Sequence, residues 1–208
     1  MSPVLVLLGG PNGAGKSTYY ELHLSSIGLP FLNADVLAAE SGMDSFEAAR
    51  VLDKKRAEMI ERGESFVTET VFSDPHGAKL DMLRAAVEAG FDVRLVYIGI
   101  ANPTLSKERV AQRVAIGGHD VPTEKLAARF TRSLENLKAA VAIVPFVKVY
   151  DNSSSTAPYR LLARFENGSL VERAEGRMPA WTRGIIPPAR GAAKRSAKSR
   201  APAARKKR

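Results

Sequence analysis

The chain has 208 residues, of which 45% are hydrophobic, and it contains no cysteine. Its length suits one domain with short appendages, and the missing cysteines exclude disulfides, thiolate metal sites and a cysteine nucleophile. No apolar run approaches the roughly 18 residues of a membrane span, so we expect a cytoplasmic protein without a transmembrane segment.

The net charge of +9 belongs to the end of the chain. Nine of the 31 basic residues lie in 190–208, which has no acidic residue, and the rest of the chain carries 22 basic and 22 acidic residues. A segment rich in Ala, Ser, Pro and positive charge is predicted to be disordered. It can contact nucleic acid or an anionic surface weakly, or simply act as a solubilising extension. We therefore predict one domain over 1–184 and a basic tail over 185–208.

The most informative stretch lies near the amino terminus. Residues 4–8 form a short apolar run typical of a buried parallel strand, and residues 10–17 then match G-x-x-x-x-G-K-[ST], the Walker A loop. In such a loop glycines let backbone amides surround phosphates, the lysine adds a charge, and the serine hydroxyl ligates Mg²⁺. The predicted nucleotide-binding residues are Gly10, Pro11, Asn12, Gly13, Ala14, Gly15, Lys16, Ser17 and Thr18.

Helices and strands alternate along the remainder of the domain. Helices are predicted at 16–26, 44–63, 74–90, 104–116 and 122–144, and further strands at 31–33, 65–72, 92–99 and 146–150. This order predicts an α/β P-loop NTPase fold with a mostly parallel, five-stranded sheet and helices on both faces. Residues 159–165 and 169–173, joined by Asn167-Gly168, are predicted to form a small hairpin appended to that body.

Three classes of P-loop protein are compatible with the Walker A loop. A motor ATPase needs a Walker B strand that ends in aspartate, whereas the third strand here ends in Thr68-Glu69-Thr70. A GTPase needs an N-K-x-D motif, which does not occur. A small-molecule kinase needs a carboxylate near the phosphates and arginines on a mobile lid, and the chain offers both.

The arginines favour a lid near residues 109–122. Arg109 and Arg113 lie four residues apart, on one face of a helix that runs into Gly117-Gly118. A guanidinium over the γ-phosphate would offset the charge on its oxygens, although such a pair is also typical of a solvated helix face. Arg129 and Arg132 on the next helix are further candidates for contacting the phosphates.

Two carboxylates follow strands next to the loop. Asp35 and Glu69 could each bind Mg²⁺ through water, accept a proton or bind a substrate hydroxyl, and Asp35 could instead cap a helix. His119 is a more ambiguous candidate for substrate binding. His23 and His76 are not expected to join it in a metal cluster.

Several segments in order together resemble the zeta-toxin family of P-loop kinases, in particular its short stand-alone branch. These segments are GGPNGAGKST, FLNADVLA, FVTETVFS, RVAIGGHDVP, RFTRSLENL and VYDNS, and the similarity extends from residue 4 to about residue 170. The resemblance implies a kinase that uses ATP and Mg²⁺ to phosphorylate the 3′-hydroxyl of the sugar in UDP-N-acetylglucosamine. It also implies a possible antitoxin protein as partner.

The same resemblance assigns roles to individual residues. Lys16 and Ser17 would bind ATP and Mg²⁺, and Asp35 would accept the proton of the acceptor hydroxyl. Glu69 would orient the acceptor, with Thr70 and His119 beside it. Arg109 and Arg113 match the region of the phosphate-stabilising arginines, and adenine would lie near Asp151-Asn152. The chain departs from the larger toxins in its GGHDVP lid and in lacking their long C-terminal helical extension.

The resulting hypothesis is an ATP-dependent phosphotransferase that acts on a hydroxyl of a small molecule, with UDP-N-acetylglucosamine as the leading acceptor. A kinase of another small alcohol and a slow ATPase without an acceptor are the alternatives among enzymes. A nucleic-acid-associated P-loop NTPase, steered by the basic tail, is the alternative from another class.

Overall fold

The strands form a single seven-stranded sheet in the order β2-β3-β1-β4-β5-β6-β7. The computed structural model describes residues 2–115 and 123–189. The strands are β1 (Val4–Gly9), β2 (Phe31–Leu32), β3 (Phe66–Thr70), β4 (Asp92–Gly99), β5 (Phe146–Asp151), β6 (Arg160–Glu166) and β7 (Ser169–Arg173). The first five are parallel to one another, and β6 and β7 are antiparallel.

Within the described residues, six α-helices connect the parallel strands. They are α1 (Lys16–His23), α2 (Ala34–Ser41), α3 (Ser45–Glu61), α4 (Ala78–Glu88), α5 (Pro103–Ala115) and α6 (Thr123–Ala140). The predicted α/β P-loop fold, with a mostly parallel sheet, is therefore confirmed. No helix in the described ranges is long and apolar enough to cross a membrane.

The centre of the sheet is the strand that leads into the phosphate-binding loop. β1 pairs with β3 on one side and with β4 on the other. Leu5, Leu7 and Leu8 are fully buried, because helices cover both faces of a parallel sheet and neither face of the strand meets water. This burial fixes the end of β1, and therefore the start of the loop, within the core.

The predicted sheet of five strands was too small. The hairpin β6–β7 forms with its turn at Asn167-Gly168, both of which have positive φ, as a two-residue hairpin turn requires. β6 pairs antiparallel with β5, so the hairpin continues the sheet and is not an appendage. Its pairing satisfies the backbone groups of β5 on the side away from β4.

The region after β2 also differs from the prediction. β2 ends at Leu32, and Asn33 caps a helix that was not predicted, α2, by accepting hydrogen bonds from the amides of Asp35 (2.8 Å) and Val36 (3.3 Å). Asp35 therefore lies in the first turn of α2, neither at the strand end nor at the cap. Asn33 is the cap because its short side chain carries an oxygen that accepts from two backbone N–H groups without partners inside the helix.

Other predicted boundaries shift for local reasons. β3 stops at Thr70, two residues before the predicted end, and Phe72 has a φ of 57°, which is outside the strand region. The helix expected from residue 74 begins at Ala78, and the Asp74 carboxylate accepts a hydrogen bond from the Ala78 amide (2.7 Å). Phe46, in the first turn of α3, is 71% exposed.

A short 3-10 turn, Ala180–Thr182, closes the described chain against the sheet. The Trp181 indole donates a hydrogen bond to Asp151 (3.1 Å) and covers Gly99, where a Cβ would lie 2.4 Å from the ring. The predicted domain boundary at residue 184 stays a prediction. Of the predicted tail over 185–208, the structure describes 185–189, and residues 190–208 lie outside the described residues.

Candidate nucleotide-binding site

The loop between β1 and α1 can be built only with glycine at defined positions. A Cβ at Gly10, where φ is +146°, would lie 2.1 Å from the carbonyl oxygen of Ile98. A Cβ at Gly15, where φ is +87°, would lie 2.7 Å from Nδ2 of Asn152. The two glycines are therefore required by close contacts to neighbouring segments as well as by their backbone angles.

The carbonyl oxygens of residues 11–15 all accept hydrogen bonds from donors of the protein. The donors, in the order of the carbonyls, are Lys16 Nζ (3.3 Å), Ser106 Oγ (2.7 Å), Arg109 Nη1 (3.3 Å), Asn152 Nδ2 (2.9 Å) and the Tyr159 hydroxyl (2.8 Å). In a trans peptide the N–H of the next residue points opposite to the carbonyl. Because these hydrogen bonds fix the carbonyls, the backbone N–H groups of Gly13, Gly15 and Lys16 point away from the donors, towards the concave side of the loop.

The residues at the concave side fit a polyphosphate. α1 begins at Lys16, and its N-terminus has no side-chain cap within the described chain, which leaves first-turn amides available to an anion. Lys16 is 6% exposed, and its ammonium lies 3.6 Å from Glu69 Oε1. An ammonium has three donors, so Lys16 can exchange these contacts for phosphate oxygens without leaving a buried charge unpaired.

Glu69 joins the phosphate-binding loop to the end of β3. Its Oε2 accepts hydrogen bonds from the Ser17 hydroxyl and from Nδ2 of Asn33, each at 2.9 Å, and its side chain is 11% exposed. A serine hydroxyl and a carboxylate at one point are the hard oxygen ligands that Mg²⁺ accepts in P-loop proteins. The donor set of Ser17 and Glu69 therefore fits a Mg²⁺ ion. In the described part of the chain, no group of three or more His, Cys, Asp or Glu residues could hold a metal by itself.

Arg56 on α3 is a residue that the sequence reasoning missed. It is 3% exposed, and its guanidinium donates to Thr68 Oγ1 (2.7 Å), to Asp53 Oδ1 (2.6 Å) and to the Glu69 carbonyl (3.5 Å). Burial lowers the pKa of Arg56, and the Asp53 carboxylate acts against that shift. Its position four residues after the buried Leu52, on the packed side of the helix, was the available signal.

A cavity of about 440 Å³ opens beside Glu69. Its charged lining consists of the acidic residues Asp35, Glu69 and Asp74 and the basic residues Arg56, Lys79, Lys125, Arg129 and Arg132. Phe46 stands at its edge with the Lys125 ammonium 5.9 Å from the ring centroid. Carboxylates can bind hydroxyl groups of a small molecule, and the cations can bind its anionic groups.

The structure brings most of the predicted residues to this cavity or to the loop. Asp35 is exposed and lines the cavity, as does Thr70, whose hydroxyl accepts a hydrogen bond from the Phe72 amide (3.1 Å). Arg129 lines it too, and Arg132 does so while donating to the Ser73 carbonyl (2.9 Å).

The predicted lid is only partly within the described residues. Arg109 donates to the carbonyls of Gly13 (3.3 Å) and Ser153 (3.4 Å), so it lies against the outer side of the loop. Arg113 is one turn further along α5. His119 and Gly117-Gly118 lie outside the described residues.

The two residues predicted to be near adenine make other contacts. Asp151 accepts hydrogen bonds from Trp181 and from Ser153 Oγ (2.6 Å), and Asn152 donates to Ala14. Both side chains are buried. The prediction for adenine therefore concerns the neighbourhood of this loop and not these two side chains.

The chain is a P-loop kinase-like nucleotide-binding domain. Its defining features are a strand, a glycine loop and a helix that starts with a lysine and a serine, all on a mostly parallel sheet. The chain belongs to the AAA domain family, whose model matches residues 5–137. It has no significant match among curated proteins.

Solved structures share the fold. The structure of AvrRxo1-ORF1:-ORF2 with ATP has a TM-score of 0.63 and 16% identity, covering 81% of this chain and 60% of that one. The PezAT chromosomal toxin–antitoxin system of Streptococcus pneumoniae has a TM-score of 0.52 and 18% identity, covering 86% and 75%. The Pnkp1/Rnl/Hen1 RNA repair complex has a TM-score of 0.51 and 17% identity, covering 64% and 45%.

These matches confirm the zeta-toxin-like resemblance at the level of the fold. The chain spans about 60% of the length of the AvrRxo1-ORF1:-ORF2 chain it matches.

Proposed function

We propose that the protein is an ATP-dependent phosphotransferase that moves the γ-phosphoryl group of ATP to a hydroxyl of a small molecule. The observation that carries the proposal is the contact of Glu69 with both Lys16 and Ser17 at the edge of a cavity that Asp35 also lines. A phosphate-binding loop, a carboxylate next to its serine and a second carboxylate in the adjoining cavity are the parts that phosphoryl transfer to an alcohol needs.

Each part has a role in the proposed reaction. The loop amides and Lys16 bind the β- and γ-phosphates. Ser17 and Glu69 would hold Mg²⁺, which when bound would neutralise charge on the phosphate oxygens. Asp35 accepts the proton of the acceptor hydroxyl while the oxygen of that hydroxyl bonds to the γ-phosphorus. The bond from that phosphorus to the β–γ bridging oxygen breaks, and ADP leaves. Arg113 and Arg129 are the arginines that we assign to the γ-phosphate, and Arg109 supports the loop.

The leading candidate for the acceptor is UDP-N-acetylglucosamine. The cavity supports this choice because its carboxylates suit sugar hydroxyls and its cations, Lys125 and Arg132 among them, suit a diphosphate. Phe46 offers an exposed ring at the edge against which a base or sugar can pack. Another small alcohol with an anionic group would use the same contacts.

The test is incubation of the protein with Mg·ATP and a panel of nucleotide sugars and sugar phosphates, read by mass spectrometry for one added phosphoryl group. The Lys16→Ala variant is the control, and it should give no product. We expect one class of acceptor to gain the group. If ATP were hydrolysed with no acceptor modified, the slow-ATPase alternative would hold instead. If nucleic acid stimulated hydrolysis only while residues 190–208 were present, the nucleic-acid-associated alternative would hold.

We also propose that the chain acts together with a protein partner of the antitoxin type. Two of the structural relatives are described as two-component assemblies, one of them a toxin–antitoxin system. Expression of the wild-type chain alone should then slow bacterial growth, and expression of Lys16→Ala to the same level should not. Equal growth with the two chains would contradict this proposal.

A further inference from the structure

Two side chains that lie after the family-matched segment, 5–137, hold the outer side of the phosphate-binding loop. Asn152 Nδ2 donates to the Ala14 carbonyl at 2.9 Å, and the Tyr159 hydroxyl donates to the Gly15 carbonyl at 2.8 Å. We propose that Asn152 and Tyr159 are positioning residues for nucleotide binding, because they fix the peptide groups whose amides face the phosphates. This inference rests on the proposed binding of ATP at the loop.

Because the peptide bond is planar, the direction of each carbonyl also sets the direction of the next N–H. No peptide in the described chain is cis, so fixing the Ala14 carbonyl also fixes the direction of the Gly15 N–H, and fixing the Gly15 carbonyl fixes that of Lys16. Glycine at position 15 would otherwise leave this turn among the most mobile in the chain. A loop that already has the bound conformation binds phosphate without the cost of ordering it.

Asn152 is itself held in place. It is 9% exposed, its backbone N–H donates to the Gly99 carbonyl at the end of β4 (2.8 Å), and its side-chain Oδ1 accepts from the Tyr159 backbone N–H (3.3 Å). The backbone of Asn152 is therefore held by the end of β4, and its side chain connects the loop after β5 to the phosphate-binding loop. A residue placed only to fill the core would not need this set of polar contacts.

Tyr159 adopts a backbone conformation that packing alone does not explain. Its φ is +50°, a conformation that costs free energy for a residue with a side chain and persists where the surroundings enforce it. Its ring packs edge-on against Tyr19 of α1, with 5.3 Å between centroids. Burial raises the pKa of the Tyr159 hydroxyl, and its hydrogen bond with Thr18 and the charge of Arg109 act against that shift.

The test compares Tyr159→Phe with wild type in direct binding of Mg·ATP and of inorganic tripolyphosphate by calorimetry. Loss of one hydrogen bond that orders the loop should weaken both ligands about fivefold. Asn152→Ala should weaken both by about tenfold or more, since it removes contacts on two sides. The matched control is Tyr20→Phe, which also deletes one tyrosine hydroxyl. Tyr20 is on α1, and its ring packs on Phe31, away from the loop (3.6 Å between centroids). Its affinities should equal those of wild type.

Each outcome decides the inference. If Tyr159→Phe binds both ligands as wild type does, or if wild type binds neither, the inference is wrong. Weakening of ATP alone would mean that Tyr159 contacts the nucleoside directly, which also overturns it. If Asn152→Ala does not fold, as judged by its unfolding transition, Tyr159→Phe alone decides.

The readout separates this inference from the proposed reaction. Binding of tripolyphosphate does not depend on any acceptor, so the inference stands or falls even if no acceptor is ever phosphorylated. Where transfer is measured, Tyr159→Phe should raise the KM for ATP about fivefold and leave the KM for the acceptor unchanged. A residue with a merely structural role would change both constants or neither.

Discussion

The Ser17 hydroxyl donates a hydrogen bond to Glu69 over 2.9 Å, although the two residues are 52 positions apart. The pairing of β1 with β3 explains the contact, because it sets Leu8, near the end of β1, beside Glu69, near the end of β3. The Glu69 carboxylate therefore lies next to the first turn of α1. Glu69 also contacts Lys16 and Asn33, so three side chains of the site converge on one carboxylate.

Glu69→Gln tests whether this carboxylate serves the metal. The amide keeps the shape and can still contact Ser17 and Asn33, but it loses the charge that attracts Mg²⁺. We expect the Mg²⁺ concentration for half-maximal activity to rise about tenfold or more, with ATP binding in the absence of Mg²⁺ unchanged or tighter. The measurement is a Mg²⁺ titration of the initial rate, with Glu166→Gln on β6 as the control. An unchanged Mg²⁺ dependence with a raised KM for the acceptor would show instead that Glu69 orients the acceptor.

Asp35→Asn tests the proton acceptor. The backbone N–H that Asn33 caps is unaffected, so α2 should form as before. Loss of a general base should lower kcat by about 10²- to 10⁴-fold, while the Kd for ATP stays the same. Glu40→Gln, on the same helix and also exposed, is the matched control and should keep full activity. Lost ATP affinity in Asp35→Asn would rule out this role.

Arg56→Met tests the buried guanidinium behind Glu69. The variant keeps an unbranched side chain along the packed face but removes the guanidinium, which leaves Thr68 and Asp53 without their donor, although Asp53 is half-exposed and retains Lys79. We expect a loss of about 2 kcal/mol in the free energy of unfolding, less than for a fully buried pair. Urea unfolding measures this loss, and Lys54→Met on the exposed side of the same helix should cost less than about 0.5 kcal/mol. Equal stability of the two variants would contradict the assignment.

Tyr97→Phe tests a buried phenol in the core. Burial raises the pKa of Tyr97 above its ordinary value of 10.0, and its hydroxyl lies 3.0 Å from the Ser133 hydroxyl. Above about pH 10 the unfolded chain releases this proton while the folded chain retains it, so stability falls as pH rises. The free energy of unfolding, measured with urea, should therefore fall less steeply between about pH 9 and pH 11 in Tyr97→Phe than in wild type. We call this fall the alkaline slope.

The Ser133 hydroxyl is buried and would lose its partner in that variant, which costs stability at every pH. The double variant Tyr97→Phe/Ser133→Ala separates the two effects, since it should recover stability at pH 7 and keep the flatter alkaline profile. An alkaline slope equal to that of wild type in both variants would show that Tyr97 contributes nothing to it.

The parts of the fold that local sequence determines were predictable. The Walker A loop and β4 carry their signals within a few consecutive residues, and β4 has the predicted bounds. The carboxyl ends of parallel strands share an edge, which is why Glu69 could be expected near the loop. The roles that we assign to these residues in catalysis stay predictions.

Other features depend on partners distant in sequence. Asn33 lies after the end of β2 and caps α2. Its side-chain Nδ2 also donates a hydrogen bond to Glu69, 36 positions away, and this contact helps to hold the cap in place. Arg56 is buried because Asp53 and β3 supply acceptors, and its charge alone favours an exposed position. Tyr159 reaches Gly15 across 144 positions. No local pattern encodes such contacts, since the fold itself brings the two segments together.

The place of β5 in the middle of the sheet limits how small a folding piece of this protein can be. A fragment ending at residue 137 would leave β4 as an open edge and would lose Val147 and Val149, which are fully buried between the layers. It would also lose the indole that shields Gly99. We therefore expect autonomous folding only when the chain continues at least through Trp181, well past the segment matched by the family model.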